Sequence, residues 1–207
     1  MAYQSMLMNQ RAGVLNEQPL VTGRDRSEQE VYDDHATGPT SDVYGKGSLV
    51  IHTLRELIGD KAFFETVRLL VYGRLDPKPG NFTSQFRSTA DYVAIVNHVT
   101  GRDYGWFFDA YLREAALPHL ETHRSGDVLS LEWRVPGNRP FPMPVEVKVG
   151  DRMETVPMAD GHGRLTILAG ETAITLDPRS KILRKLDGID RFQRWRKASS
   201  APAAGAR

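Results

Sequence analysis

The spacing of apolar residues along this chain changes once, near Leu117-Pro118, from a helical period to strict alternation. Ahead of that point, Met1, Met6, Leu7, Met8 and Val14 recur at helical spacing with no capping residue before them. A helix without a start signal predicts a cut chain. Residues 16 to 41 are polar and acidic, broken by Pro19, Gly23, Gly38 and Pro39, and predict a long surface connection. Four helices follow. Leu49, Val50, Thr53, Leu54 and Leu57 line one face of a helix capped by Thr40, Ser41 or Asp42 and stopped by Gly59. Asp60 caps the next, whose Phe63, Phe64, Val67, Leu70 and Val71 share a face before Gly73. Thr89 caps a third that ends at Gly101, and the fourth runs from Tyr104 to Ala115 with Trp106, Phe107, Tyr111 and Leu112 turned inward.

Beyond Pro118 the apolar positions alternate, as in Leu129, Leu131, Trp133 and Val135 and again in Val145, Val147 and Val149. Further short runs surround Val156, Leu165, Ile167, Ile174, Leu176 and Ile182 to Leu186, separated by turn signals such as Ser125-Gly126-Asp127, Pro136-Gly137-Asn138 and Asp160-Gly161. About seven short strands with a turn roughly every ten residues predict a β-sandwich. The expected class is α+β, with a helical part over 1–117, a β-sandwich over 118–188 and a flexible basic tail over 189–207.

Composition narrows the partners. Lys and Arg number 27 against 26 Asp and Glu, so the net charge is +1 and no electrostatic footprint for nucleic acid stands out. No apolar run reaches the roughly 18 to 20 residues of a spanning helix, so no membrane span is expected. The opening MAYQSMLMNQRAG has no secretory pattern. Without cysteine, disulfides, thiolate metal sites and a thiol nucleophile are excluded and the compartment stays open.

The chemistry concentrates in two stretches, 42 to 73 and 88 to 121. They contain, in order, Tyr44-Gly45-Lys46-Gly47, Ile58-Gly59-Asp60, Thr89-Ala90-Asp91-Tyr92, Gly101-Arg102-Asp103, Phe107-Phe108 and Leu117-Pro118. This series resembles the end of the catalytic domain in the alanyl-aminopeptidase family of gluzincins, where a Tyr-x-Lys-Gly element opens a helix and a Leu-Pro exit leads into a β-domain. Asn16 to Leu20 resembles the family's Asn-x-x-Pro segment, and Leu131-Glu132-Trp133 through Val145 is similar to the β-domain of bacterial members.

The resemblance implies the helical C-terminal portion of a thermolysin-like catalytic domain followed by a β-sandwich domain. It implies that the intact parent is a zinc-dependent aminopeptidase acting on peptide substrates. Tyr44 would be the catalytic residue carried here, its phenol stabilising the oxyanion from a helix start where the dipole assists. Gly47 would let that helix approach a neighbour closely. The family's H-E-x-x-H, its glutamate ligand and its Gly-x-Met-Glu-Asn strand have no counterpart in this sequence, and none of the six histidines is followed by glutamate. Zinc therefore belongs to the parent, no metal ligand is assigned here, and the chain is expected to be inactive alone. Its partner would be the missing N-terminal half, or a second copy through self-association. The alternative is a non-catalytic protein-interaction module derived from that family. Bacterial members are often exported.

Other constellations carry less. His119, Glu121 and His123 share one face of a strand and could chelate a metal, but Pro118 and the alternating period predict an exposed first strand. His52 and His98 fall inside helical patterns and are expected to be structural or surface residues, with His98 standing where the family often has an acid. Asp25, Glu28, Glu30, Asp33, Asp34 and His35 read as a solvated polar loop. Arg191, Arg194, Arg196 and Lys197 around Trp195 read as a soluble basic tail.

Overall fold

The structure, a computed structural model, describes residues 2–34 and 36–200. Six helices come first. They are α1 (Ala2–Gly13), α2 (Glu28–Tyr32), α3 (Asp42–Ile58), α4 (Asp60–Tyr72), α5 (Thr89–Thr100) and α6 (Gly105–Leu112). Six strands follow: β1 (His119–Ser125), β2 (Val128–Arg134), β3 (Val145–Val149), β4 (Arg152–Val156), β5 (His162–Thr166) and β6 (Ile174–Leu176). Helix α7 (Asp187–Ser200) comes last. The fold is α+β, a helical part followed by a β part.

The helix stops fall where the sequence places them. Gly73 and Gly101 end α4 and α5 at φ 67° and 64°, a left-handed conformation that costs a residue with a Cβ about 1–2 kcal/mol. The starts differ by a residue. Ser88, not Thr89, caps α5 by accepting the Asp91 amide, while Asp91 accepts from the Ser88 amide in return. Asp60 begins α4 without capping it and instead takes a two-pronged contact from Arg55 at 2.8 and 2.9 Å.

Helix α2 lies inside the stretch expected to be one long connection. Its Ser27 and Glu30 form a capping box that satisfies two amides at once. The rest of that connection is fastened to its neighbours. The half-buried Arg26 donates to Thr22 Oγ1 and the Thr37 carbonyl, and the Val21 amide reaches the Leu112 carbonyl at 2.8 Å.

The strands form two antiparallel three-stranded sheets, ordered β1-β2-β5 and β4-β3-β6. Trp133 lies opposite Leu120, and Leu131 opposite Gly163, so one face of the first sheet carries Leu129, Leu131 and Trp133 into the core. Val145, Val147, Val149 and Val156 bury the facing side of the second sheet. Gly163 marks how closely the sheets approach, because a Cβ there would sit 2.7 Å from Val156 Cγ1 and 2.5 Å from Met158 Sδ. Ile182 and Leu183 are buried as expected, but in an irregular segment rather than a seventh strand.

Helical and β parts share one continuous apolar core. Phe141 is its hinge pin, with ring centroids 5.1 Å from Trp106, 5.8 Å from Tyr111 and 5.3 Å from Trp133. The segment expected to be a tail from residue 189 is helical through Ser200, and Gln193 fastens it by donating to the carbonyls of Ala12 and Val14. Residues 201–207 of that expected tail lie outside the described residues, as do Met1 and His35.

Candidate functional site at the start of α3

Asp42, Tyr44 and Lys46 fall within the first five residues of α3, and the helical period sends them to opposite sides. Asp42 and Lys46, four positions apart, face inward and are 2% and 0% exposed. Tyr44 lies between them and faces out, 66% exposed.

Both inward charges are spent on backbone. Asp42 accepts the amides of Leu15 and Asn16 at 2.8 and 2.7 Å, which ties the end of α1 to the start of α3. Asn16 adopts φ 55°, a left-handed conformation that asparagine tolerates better than most residues. Lys46 Nζ donates to the carbonyls of Glu114 and Ala115 at 2.9 and 2.8 Å, in the segment that joins α6 to β1. Burial lowers the Lys46 ammonium to about 8, with Asp42 and Glu114 opposing the shift. The charges therefore act as fasteners of the helix and set where its outer face points.

On that outer face the Tyr44 hydroxyl meets the Tyr32 hydroxyl at 2.7 Å. The two rings lie parallel within 6°, their centroids 6.1 Å apart. The hydrogen bond from Tyr44 is the main reason the Tyr32 phenol is held above its ordinary value. Since one phenol donates to the other, a pair of this kind keeps one O–H free for a third acceptor. A groove of about 810 Å³ runs alongside, walled by the 20–26 segment, by Val43 next to Tyr44, and by Ser88 to Ala90 at the start of α5.

Gly47 does not serve the close approach expected of it. A Cβ there would meet nothing nearer than the Asp42 carbonyl at 3.9 Å. Sequence reading also missed Tyr32. The only signal for it is its aromatic character two residues after Glu30, the acid that closes the α2 capping box.

The other candidate residues are accounted for locally. His119, Glu121 and His123 lie on β1, largely exposed from Glu121 onward, and His119 faces Glu121 and Asp187 at 3.8 and 3.7 Å. Among the described residues no three His, Asp or Glu side chains gather closely enough to hold a metal ion. The described residues therefore offer no ligand set that fits zinc. His52 bonds to the Tyr3 hydroxyl and the Ser180 carbonyl, a structural histidine as expected, and His98 is exposed on α5. In the acidic loop, Asp34 accepts the amides of Ala36 and Thr37, and Glu30 belongs to the capping box, so both act on local backbone. On α7, Trp195 and Phe192 are exposed and in contact at 5.9 Å. No helix among the described residues is long and apolar enough to cross a membrane.

No protein-family model matches this chain, and neither does any curated protein sequence. Among solved structures, the fold is similar to that of aminopeptidase A from Legionella pneumophila, described in complex with aspartic acid, with a TM-score of 0.52 at 14% sequence identity. The alignment covers 84% of this chain and 21% of that one, so the chain spans about a fifth of that enzyme's length. The chain has an aminopeptidase-like fold.

Proposed function

We propose that this chain is the C-terminal part of a zinc-dependent aminopeptidase, ending the catalytic domain at about residue 117 and adding a β-domain. In this reading Tyr44 is the catalytic residue and the chain is inactive by itself. The observation that carries it is the outward Tyr44 hydroxyl, placed on the first turn of a helix whose inner face is locked by Asp42 and Lys46. The aminopeptidase-like fold supports the same reading.

When a peptide carbonyl is attacked, negative charge builds on its oxygen. A phenol held in place strengthens its hydrogen bond to that oxygen as the charge grows, and so lowers the barrier. Zinc, when bound in the parent, would polarise that carbonyl and activate water; its ligands must come from other polypeptide. What this chain adds is the donor and its orientation.

The test is reconstitution with a polypeptide bearing the H-E-x-x-H helix. The chain alone is expected to leave aminoacyl reporters intact. In the assembled enzyme, Tyr44→Phe is expected to lower kcat by on the order of 10²–10³ with little change in KM. Unchanged turnover in that variant would remove Tyr44 from the chemistry.

A second reading, a non-catalytic interaction module, is favoured by the exposed apolar side chains of the helical part, among them Phe64, Val71, Leu75, Phe82 and Phe86. Sizing by light scattering separates the two. Stable self-association together with no gain of activity on adding the zinc-bearing half supports the module.

A further inference from the structure

Four buried side-chain polar atoms have no hydrogen-bond partner among the described residues, and three of them, Arg11 Nε, Arg184 Nε and Asn16 Oδ1, belong to residues that wall one cavity. The cavity holds about 340 Å³ and lies where the end of α1, the turn at Ala116-Leu117 and the segment leading into α7 meet. We propose that it binds a small oxyanion, carboxylate or phosphate, which also carries an O–H or N–H donor.

The charge balance favours an anion. Arg11 is 6% exposed, and its Nη2 is already committed to the Ile182 carbonyl. Among the described residues, Arg184 makes only a long contact from Nη2 to the Leu176 carbonyl, at 3.5 Å. Neither guanidinium has an ion pair within 4.0 Å among the described residues. The buried carboxylate that acts on both is Asp177, and its oxygens accept the amides of Lys181 and Ile182. Two cations thus face one carboxylate that is occupied elsewhere. Burial first, and Arg184 second, lower the Arg11 guanidinium to about 10, with Asp177 and Tyr111 opposing the shift.

Both Nε–H groups belong to residues of the cavity wall and have no hydrogen-bond partner among the described residues, so an anion that meets them displaces no bond at Nε, while turning the Arg11 guanidinium toward it gives up the Nη2 bond to the Ile182 carbonyl. A planar or tetrahedral oxyanion then accepts from both, the geometry that guanidinium groups match best. Asn16 Oδ1 is an acceptor, so an oxyanion alone leaves it without a partner. A hydroxyl on hydrogen phosphate, or the hydroxyl or ammonium next to a carboxylate, fills that role. Asp190 also lines the cavity, but Lys185 stands 3.7 Å from its carboxylate and offsets its repulsion.

The test uses the whole chain labelled with ¹⁵N-arginine, following the Nε–H resonances as inorganic phosphate, lactate or acetate is added, with chloride at equal ionic strength as the reference. Saturable shifts of Arg11 and Arg184 with phosphate, lactate or both support the site, and which of the two binds identifies the source. Acetate lacks the donor and is expected to bind at least about tenfold more weakly than lactate. Asn16→Asp keeps the backbone conformation accessible and places a negative charge in the wall, so it is expected to weaken binding at least about tenfold. Shifts that grow linearly and match those in chloride, with water alone meeting the donors, would overturn the proposal. So would unchanged affinity in Asn16→Asp, and acetate binding as tightly as lactate would overturn the demand for a donor.

Discussion

Two fastenings hold α3 and α6 in place, and they are built from opposite materials. Where α6 meets the sheets, Phe141 meets Tyr111 and Trp133 edge to face and Tyr111 packs at a tilt on Phe107, and the two polar groups of this cluster are both satisfied, the Tyr111 hydroxyl donating to the Leu183 carbonyl at 2.7 Å and the Trp133 indole N–H to the Met143 carbonyl at 2.8 Å. At the first turn of α3 the fastening consists of two buried charges that grip backbone amides and carbonyls. Apolar contact is non-directional and scales with area, so it supplies stability. Hydrogen bonds to charged groups are directional and expensive to break, so they fix the angle of a helix more than they add to its net stability. The second kind lies on the inner face of α3, opposite the outward Tyr44.

The contrast can be broken most severely at Phe141. It has no exposed surface and touches aromatic rings from both parts of the chain, so Phe141→Ala is expected to cost about 3–5 kcal/mol. Denaturant unfolding followed by tryptophan fluorescence checks this. A loss below about 1 kcal/mol would mean that the aromatic cluster does not join the two parts.

Lys46 gives the next effect, and its sign is distinctive. A lysine lowered to about 8 in the folded chain takes up its proton less readily than in the unfolded chain, where it titrates near the ordinary 10.5. Between those values the unfolded state binds more protons, so stability rises with pH across that window and the full penalty is present below it. Relative to Lys46→Met, which cannot titrate, the native chain is expected to gain up to about 3 kcal/mol between pH 8 and 10.5. Parallel unfolding curves for the two proteins over that range would show that the ammonium is not buried.

Asp42→Ala follows. It leaves the Leu15 and Asn16 amides without their acceptor, a cost of about 1–3 kcal/mol. Amide exchange should quicken at Leu15 and Asn16 and along the first turn of α3, while the sheets stay protected.

These residues also show what a sequence can and cannot disclose. The stops at Gly73 and Gly101 were legible because a left-handed φ is a local demand that glycine meets by itself. The alternation in β2 and β3 was legible for the same reason, since burial of every second residue is a local pattern. Asp42 and Lys46 look like ordinary surface charges until their partners are known, and the carbonyls that hold Lys46 lie 68 and 69 positions away. The polar composition of α7 reads as a tail, while the carbonyls that fasten it through Gln193, those of Val14 and Ala12, are 179 and 181 positions away in the chain. The capping box of α2 was present in the sequence, but the surrounding prolines and glycines spoke against a helix. Of the candidate site, Tyr44 and its helix start were readable, whereas Tyr32 and the inward charges depend on tertiary contact.

The smallest expected effect concerns the outward face alone. Tyr32 keeps its proton above the ordinary range chiefly because its hydroxyl shares a hydrogen bond with Tyr44. Replacing Tyr44 with phenylalanine removes that partner while leaving Asp42, Lys46 and the aromatic cluster untouched. The melting transition is expected to stay where it is, and the Tyr32 phenol is expected to ionise at a lower pH, nearer the ordinary 10 of a tyrosine. Titration of ¹³Cζ-labelled tyrosine reads both phenols directly. If Tyr32 ionises unchanged in Tyr44→Phe, the two hydroxyls do not meet, and the locked inner face of α3 does not determine where its outer tyrosine points. If the shift appears with no change in stability, the two hydroxyls meet on the outer face of α3 without adding to the stability of the fold, which leaves Tyr44 open to the role proposed for it.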